Sequence, residues 1–357
     1  MRVNLKRVVD DSYEIQFLND LHEAGLNIRS MYRRASIFII TDANVAKHHA
    51  GALARSLFKD GIPTFVLKVS AGEATKNRRS KERLEDQLIS LGVARDSLIV
   101  ALGGGMVGDL AGFVAATLHR GIPFVQIPTS LLAQVDSSVG GKVAVDHPQG
   151  KNLIGAFFQP KKVYIVASTL KTLSQDEFRN GMAEVIKYAA ILDDRLFTFL
   201  ERNTATILRR DRAVMRRMIA RCCKLKGAVV EKDERETDYR RILNFGHTIG
   251  HAIEQVSNYR IAHGKAVAIG MVAEAKFSTE LKLLTAKEFS RLVRVLEVFG
   301  LPTTVPVSMK TAALFDATLH DKKVQHGNVS YTLLEKIGKA RIGISIDRKR
   351  AQELFER

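Results

Sequence analysis

The sequence predicts two domains of different class, an α/β N-terminal domain with a parallel sheet and an all-α C-terminal domain. Three observations carry this. Apolar strand-like runs alternate with helical stretches from Ala35 to Val166, a period that argues a parallel sheet with helices on both faces. One of those strands runs into a glycine turn that opens a small-residue helix, ALGGGMVGDLAGFVAATLHRG over residues 101–121. After about Leu173 strand signals fade, helical stretches follow one another, and proline is absent from 161 to 301. The change in pattern puts the boundary at 175/176. Residues 1–175 then form a Rossmann-like domain of the dinucleotide-binding type, and 176–357 a helical domain.

Residues 1–34 read as a lead-in with an early hairpin or strand pair. ASIFII, 35–40, is a buried strand ending on Thr41-Asp42-Ala43-Asn44. An acidic residue at that point holds a ribose in dinucleotide folds, and Asp42 or Asn44 also serves as the N-cap of the helix Ala46–Asp60. Pro63–Val69 is the next strand, GEATKNRRS (72–80) a polar turn, and Lys81–Leu91 a helix. Ser97–Leu102 is a strand that ends on Gly103-Gly104-Gly105, after which Gly108-Asp109 opens a helix over Leu110–Leu118. Glycine permits close approach to a phosphate, and first-turn N–H groups point at it. The same glycines also serve a helix that packs tightly on the sheet, and the spacing differs from GxGxxG. Pro123–Ile127 is a further strand, running into Pro128-Thr129-Ser130. Residues 131–160 carry glycines followed by Lys142 and Lys151, with Asp136, Ser137, Ser138 and Asn152. That composition suits anionic oxygens, or a plain hairpin with solvated lysines. Lys162–Val166 is the last strand.

A chain of 357 residues exceeds one typical core, which agrees with two domains. No apolar run approaches the 18–20 residues of a membrane span, and the N-terminal stretch has no signal-peptide core, so no membrane partner is expected. The two cysteines, Cys222 and Cys223, are adjacent, which is neither a disulfide framework nor a metal-ligand spacing; a cytoplasmic setting follows. The formal charge of +17 concentrates between Arg202 and Arg241. Over residues 207–227 basic residues alternate with apolar ones at helical spacing and without aromatics. That pattern is a solvated helix face, and no nucleic-acid partner is expected. The excess charge also steers anionic substrates.

Three short motifs stand out in the helical half. FGHTIGHAIE places His247 and His251 four apart on one helix face, IAHGKAVAIGM puts His263 ahead of another helix, and GMAEVIK puts Glu184 and Lys187 three apart. Two imidazoles and a carboxylate make an open three-ligand zinc site. Any one such histidine is also an ordinary packed or surface residue; the coincidence of three motifs favours the metal. Lys226, Arg240 and Asn244 lie near the histidines in sequence and suit phosphate or carboxylate.

GGGMVGDLAGF, PTSLLAQVDSSVGGKVAVDHPQGKNLIGAFFQP, GMAEVIK, LNFGHTIGHAIE and DKKV together resemble the 3-dehydroquinate synthase family over roughly residues 35–340. The resemblance implies bound NAD+, a zinc or cobalt ion and a homodimer. It assigns Asp42 and Asn44 to the adenosine ribose end, and Glu73 and Lys76 to the border of the cofactor. Gly104, Gly105 and Asp109 fall to the pyrophosphate and nicotinamide end, and Thr129, Ser130, Asp136, Lys142, Lys151, Thr169 and Thr172 to the rest of the NAD site. Glu184, His247 and His263 match its metal ligands. Arg120, Lys142, Asn152, Lys187, Lys226, Arg240, Asn244, His251 and Lys322 match groups that hold substrate, Lys323 adjoining the last. Glu236 and His251 match its proton-transfer positions. Departures are Ser130 and Val143 where threonine is usual, Ser174 for proline, and Asp238 for glycine near Arg240.

The activity so implied converts 3-deoxy-D-arabino-heptulosonate 7-phosphate to 3-dehydroquinate and phosphate. It proceeds by transient oxidation, phosphate elimination, reduction and an intramolecular aldol step. Another sugar-phosphate cyclase, a metal-dependent polyol dehydrogenase and, from a different class, a nucleic-acid-binding protein are the alternatives.

Overall fold

The structure is a computed structural model that describes residues 10–33, 35–58, 61–307, 309–319, 324–325 and 328–356. The chain forms two compact units. One holds the chain up to Thr129 together with Gly140–Val166; the other holds Ser130–Val139 and everything from Ala167 onward. The division thus falls at 166/167 rather than 175/176, and a short segment that the sequence placed in the first domain belongs to the second.

The first unit is built on a six-stranded sheet in the order β1-β8-β5-β4-β2-β3, parallel throughout. Its strands are β1 (Glu14–Leu18), β2 (Ile37–Asp42), β3 (Thr64–Val69), β4 (Leu98–Gly103), β5 (Phe124–Pro128) and β8 (Lys162–Val166). Every residue of β2, β4 and β5 is buried, which is why they read as continuous apolar runs. Helices α1 (Leu21–Met31), α2 (43–57), α3 (Arg78–Ser90) and α4 (Gly105–Thr117) alternate with them. Counted from β2 the order is the doubly wound 2-1-3-4-5, with β1 added beyond β8. The chain reverses direction across the sheet between β2 and β4, the crevice where such folds bind ligands.

Among the described residues of 1–34 the expected hairpin or strand pair is absent. β1 pairs in parallel with β8, Glu14 opposite Lys162, and its neighbour in sequence is a helix capped by Asp20. A strand whose partner is that remote leaves no local turn signal. The helix after the glycine turn starts at Gly105, a turn and a half before Leu110, with Gly104 as N-cap. Packing outweighs the poor helix propensity of glycine here. A Cβ on Gly103 would lie 2.6 Å from the Val107 side chain, on Gly108 2.9 Å from Gln126 Oε1, and on Gly112 2.4 Å from Val143 Cγ1. Those three glycines bring helix and sheet together, and Gly104 and Gly105 remain for the helix start. Residues 142–157 form an antiparallel hairpin, β6 (Lys142–His147) with β7 (Gly150–Phe157).

The second unit is helical in its bulk, as the sequence predicts. It comprises α5 (Gln175–Leu192), α6 (Asp194–Leu208), α7 (Arg212–Lys232), α8 (His247–Val256), α9 (His263–Glu280), α10 (Ala286–Val298), α11 (Thr311–Thr318) and α12 (Arg348–Glu356). It is not purely helical. β9 (Val324–Gln325), β10 (Asn328–Lys336) and β11 (Lys339–Asp347) make a small antiparallel sheet. NVSYTLLEK and KARIGISID alternate with period two, and Val329, Tyr331 and Leu333 enter a core with Phe277 and Phe315. Cys222 and Cys223 are both buried on α7; burial pushes the Cys223 thiol up to about 12 and that of Cys222 well above the usual range. Among the described residues no helix is long and apolar enough to cross a membrane.

Candidate active site

In the second unit, α5 presents Glu184, the first turn of α8 presents His247, and the first turn of α9 presents His263. One carboxylate oxygen and one ring nitrogen from each lie within 4.8 Å of one another. Glu184 Oε1 is 3.5 Å from Nε2 of His247 and 3.5 Å from Nε2 of His263. That oxygen is buried and without a hydrogen bond, an arrangement that costs free energy unless a cation stands among the three. The residues fit a divalent ion of borderline softness, and they leave coordination positions open.

The far side of each ring is anchored. Nδ1 of His263 lies 3.1 Å from Glu254 Oε2, and Nδ1 of His247 lies 3.2 Å from the Phe245 carbonyl. With Nδ1–H donating to those acceptors, each ring in its neutral form turns the Nε2 lone pair toward Glu184. Burial, then the charge of Lys187 and the neighbouring imidazoles, holds the His247 pKa well below the usual range, so the ring is neutral and able to ligate. Burial also pulls His263 down, but the carboxylates of Glu184 and Glu254 outweigh it and push it up to about 10. Burial raises Glu184, but the Lys187 ammonium and His263 outweigh that and hold it at about 2. His251 is exposed one turn along α8. Its ring centroid is 5.3 Å from that of His247 and 6.1 Å from that of His263.

Buried cations stand in the same unit. Lys187, 2% exposed, pairs with Glu184 across one helical turn. Lys226 on α7 places Nζ 2.7 Å from both the carboxylate and the backbone carbonyl of Asp136, whose carboxylate also accepts from the Tyr188 hydroxyl. Burial raises Asp136, yet the Lys226 ammonium outweighs it and holds the carboxyl at about 2; burial lowers Lys226 in turn. Arg240 is buried and donates to the Glu234 carbonyl. Asn244 Nδ2 donates to Glu236 Oε1 at 3.1 Å, and Glu236 sits in the left-handed region at φ 59°. Asp233 accepts from the backbone of Thr237, Asp238 and Arg240, which holds that loop and keeps its own carboxyl well below the usual range. Asp238 enters the loop through its backbone N–H to Asp233. Thr169 and Thr172 share the 3₁₀ turn Ala167–Thr172, and Thr169 Oγ1 accepts from Gln134. Ser130 Oγ accepts from the Ala133 N–H.

In the first unit, Asp42 at the end of β2 accepts from the N–H groups of Asn44 and Val45 through Oδ1. It is therefore a helix N-cap, which starts α2 a turn before Ala46. Gly104 caps α4 beside it in the sheet and has no side chain to accept from the first-turn N–H groups; Thr129 N–H donates to the Gly103 carbonyl. Lys76 is buried at the centre of a polar cluster. Its Nζ lies 2.5 Å from Asp109, 2.5 Å from Asn152 Oδ1 and 3.6 Å from Glu73. Burial pulls Lys76 down, and the carboxylates of Asp109 and Glu73 more than reverse it. Asn152 adopts φ 56° and donates from its backbone to Asp146. Lys142 is exposed at the start of β6, and Lys151 lies in the second residue of β7.

Arg120 stands at the opposite end of α4 from Gly104. It is exposed, at φ 68°, just past the far end of the thirteen-residue α4, about 20 Å along the helix from Gly104. Lys322 and Lys323 lie outside the described residues. Glu254 and Tyr188 are anchors that motif reading passed over. Glu254 closes the quoted run GHAIE, but its partner His263 lies on another helix.

A doubly wound α/β unit and a helical unit with a Glu–His–His cluster define a class, the metal-dependent two-unit enzymes. Comparison with known proteins narrows it. The 3-dehydroquinate synthase N-terminal family matches residues 66–180, and the 3-dehydroquinate synthase C-terminal family residues 181–324. The 3-dehydroquinate synthase of Desulforamulus reducens is 46% identical over 307 residues, 86% of this chain and 86% of its own length. Two solved cyclases share the fold. The 2-epi-5-epi-valiolone synthase of Streptomyces hygroscopicus, with NAD+ and Zn2+ bound, has a TM-score of 0.91 at 25% identity, covering 100% of this chain and 98% of that one. A 2-deoxy-scyllo-inosose synthase complexed with carbaglucose-6-phosphate, NAD+ and Co2+ has a TM-score of 0.85 at 27% identity, covering 96% and 95%. The chain belongs to the 3-dehydroquinate synthase family.

Proposed function

We propose that the chain converts 3-deoxy-D-arabino-heptulosonate 7-phosphate to 3-dehydroquinate with loss of phosphate. The observation that carries this is the Glu184–His247–His263 cluster, with its carboxylate buried, in one unit with the buried cations Lys187, Lys226 and Arg240. A divalent ion held by those three ligands, zinc or cobalt, supplies Lewis-acid polarisation of a substrate hydroxyl. NAD+ supplies a hydride acceptor that gives the hydride back in the same turnover. The remaining work falls to side chains. Lys187, Lys226, Arg240, Asn244 and His251, with Lys142, Asn152, Arg120 and Lys322, are the groups for phosphate, carboxylate and hydroxyls. His251, exposed beside the cluster, is one proton carrier; Glu236 is a second, its carboxylate oriented by Asn244.

For NAD+, the reversal of the sheet between β2 and β4 and the helix start at Gly104 and Gly105 supply a pyrophosphate site. Asp42 uses Oδ1 as the N-cap, and its other oxygen is the acceptor for a ribose hydroxyl, beside Asn44. Glu73, Lys76, Asp109, Thr129, Ser130, Asp136, Lys142, Lys151, Thr169 and Thr172 complete the assignment. The proposal includes a homodimer, tested by sedimentation, and a cytoplasmic setting, in keeping with two buried, unbridged cysteines.

The test is the redox balance. A cyclase oxidises and re-reduces the same carbon, so stoichiometric phosphate appears with no net absorbance of NADH, and catalytic NAD+ suffices. NADH accumulating in step with product would replace this reading with a polyol dehydrogenase. Phosphate release indifferent to NAD+ would remove both.

A second expectation concerns Lys142. Lys142→Ala weakens substrate binding on the order of 10–100-fold, the worth of a charge-assisted contact, and weakens NAD+ binding far less. Calorimetric titration of each ligand checks it, and the opposite pattern would move Lys142 to the cofactor.

A further inference from the structure

The two helices that begin on a histidine are not capped by their own sequence. α8 starts at His247 behind Gly246, α9 starts at His263 behind Ala262, and neither N-cap residue has a side-chain acceptor. First-turn N–H groups require acceptors, and both helices take one from a neighbouring helix that also carries a metal-ligand candidate. Asn180, one turn before Glu184 on α5, accepts from the Gly264 N–H through Oδ1 at 2.5 Å. Glu274, on α9, accepts from the Gly246 N–H through Oε2 at 2.7 Å and from the Ile249 N–H through Oε1 at 3.3 Å.

Glu274 is 0% exposed. A carboxylate is a costly residue to bury in a helix–helix seam, where an apolar side chain is the ordinary occupant. The seam itself is backbone against backbone. A Cβ on Gly270 would lie 2.0 Å from the Gly246 carbonyl oxygen, and one on Gly250 3.1 Å from Val267 Cα. α5 therefore fixes the start of α9 and α9 fixes the start of α8, and Glu184, His263 and His247 ride on those helices in the same order.

We infer that Glu274 and Asn180 are positioning residues of the metal centre, setting where His247 and His263 present Nε2 to Glu184. This rests on the reading of those three residues as metal ligands. Removing an acceptor frees the start of one helix to shift against the other, and a shift of a few tenths of an ångström is felt by a three-ligand site.

The experiment uses the full chain as wild type, Glu274→Gln, Glu274→Met and Asn180→Ala. Ser278→Ala is the control. Ser278 is buried on α9, donating to the Glu274 backbone carbonyl and accepting from Leu334 N–H, and it touches neither helix start. The Zn2+ dissociation constant by chelator competition and the visible spectrum of the Co2+-loaded protein are measured beside thermal melting. Glu274→Gln and Asn180→Ala weaken Zn2+ binding about 10–100-fold and alter the cobalt bands. Glu274→Met, with no acceptor left, is weaker than Glu274→Gln. Ser278→Ala lowers the melting temperature and leaves affinity and spectrum as in the wild type. Wild-type affinity and spectrum in both positioning variants, an equal loss in Ser278→Ala, or failure of Glu274→Gln to fold would each overturn the inference. A wild type that binds neither ion would instead overturn the ligand assignment on which it rests.

Discussion

His247→Ala loses its divalent ion and its turnover and keeps its fold. The substitution leaves Glu184 and His263 as the only ligands, and two are too few to hold zinc against water. Losing an anchor behind a ligand costs 10–100-fold in metal affinity, and losing the ligand itself costs at least about 100-fold. Lewis-acid polarisation is worth several kcal/mol of barrier, so turnover falls by at least about 1,000-fold. The helix survives, because the Gly246 and Ile249 N–H groups keep their acceptor on Glu274. Metal analysis, turnover and circular dichroism on one preparation check all three statements, and stoichiometric zinc in the variant would remove His247 from the ligand set. The wild type has a pH signature of its own. His263 binds a proton up to about 10 in the ion-free cluster and must release it to ligate. Zinc uptake therefore expels a proton and tightens as pH rises toward that value, which chelator competition on the wild type across pH measures.

Asp136→Ala destabilises the protein by about 3–5 kcal/mol at neutral pH, the usual result of leaving one member of a buried pair alone. Lys226 would keep its burial and lose its carboxylate, and the Tyr188 hydroxyl would lose its acceptor. The sign with pH follows from the carboxyl, held at about 2 in the folded chain against 3.8 for the free side chain. Its contribution is complete above the free value and disappears as pH falls through about 2. The gap between wild type and variant is therefore widest at neutral pH and narrows in strong acid. Denaturant unfolding at pH 7 and pH 3 measures it. Asp136→Ala combined with Lys226→Met recovers part of the loss, because no buried charge is then unpaired. A single variant within about 1 kcal/mol of wild type at pH 7 would mean that solvent reaches Lys226 and the pair is not buried in the working protein.

What the sequence made legible was whatever its local pattern determines. The strand Lys162–Val166 appears with the expected bounds because its apolar run is framed by turns, and the helices of the second unit follow from their periodicity. Glu184, His247 and His263 were readable because each lies in a compact motif, and the structure brings them together. The features that escaped depend on partners remote in the chain. β1 pairs with a strand at the other end of its unit, and the β10–β11 hairpin sits in a stretch overshadowed by helices. Glu254, Asn180 and Glu274 are ordinary helix residues until a neighbouring helix supplies the atom they bond. The glycine turn was legible only in part. Gly103, Gly108 and Gly112 are explained by contacts with Val107, Gln126 and Val143.

The excursion of residues 130–139 out of the first unit bears on how the chain is made. A polypeptide emerging from the ribosome completes the six-stranded sheet once Val166 has appeared, yet the loop around Asp136 must wait for Tyr188, Cys223 and Lys226. During that interval it carries a carboxylate and the buried side chains Ala133, Gln134 and Val135 with nothing to cover them. Neither unit is one continuous stretch, so a gene fragment ending at residue 175 encodes a sheet with an orphaned loop, and one beginning there encodes a bundle with a hole. The two halves are bound to a common synthesis: they could not have been exchanged as cassettes with other proteins by a single crossover without losing the Asp136–Lys226 pair.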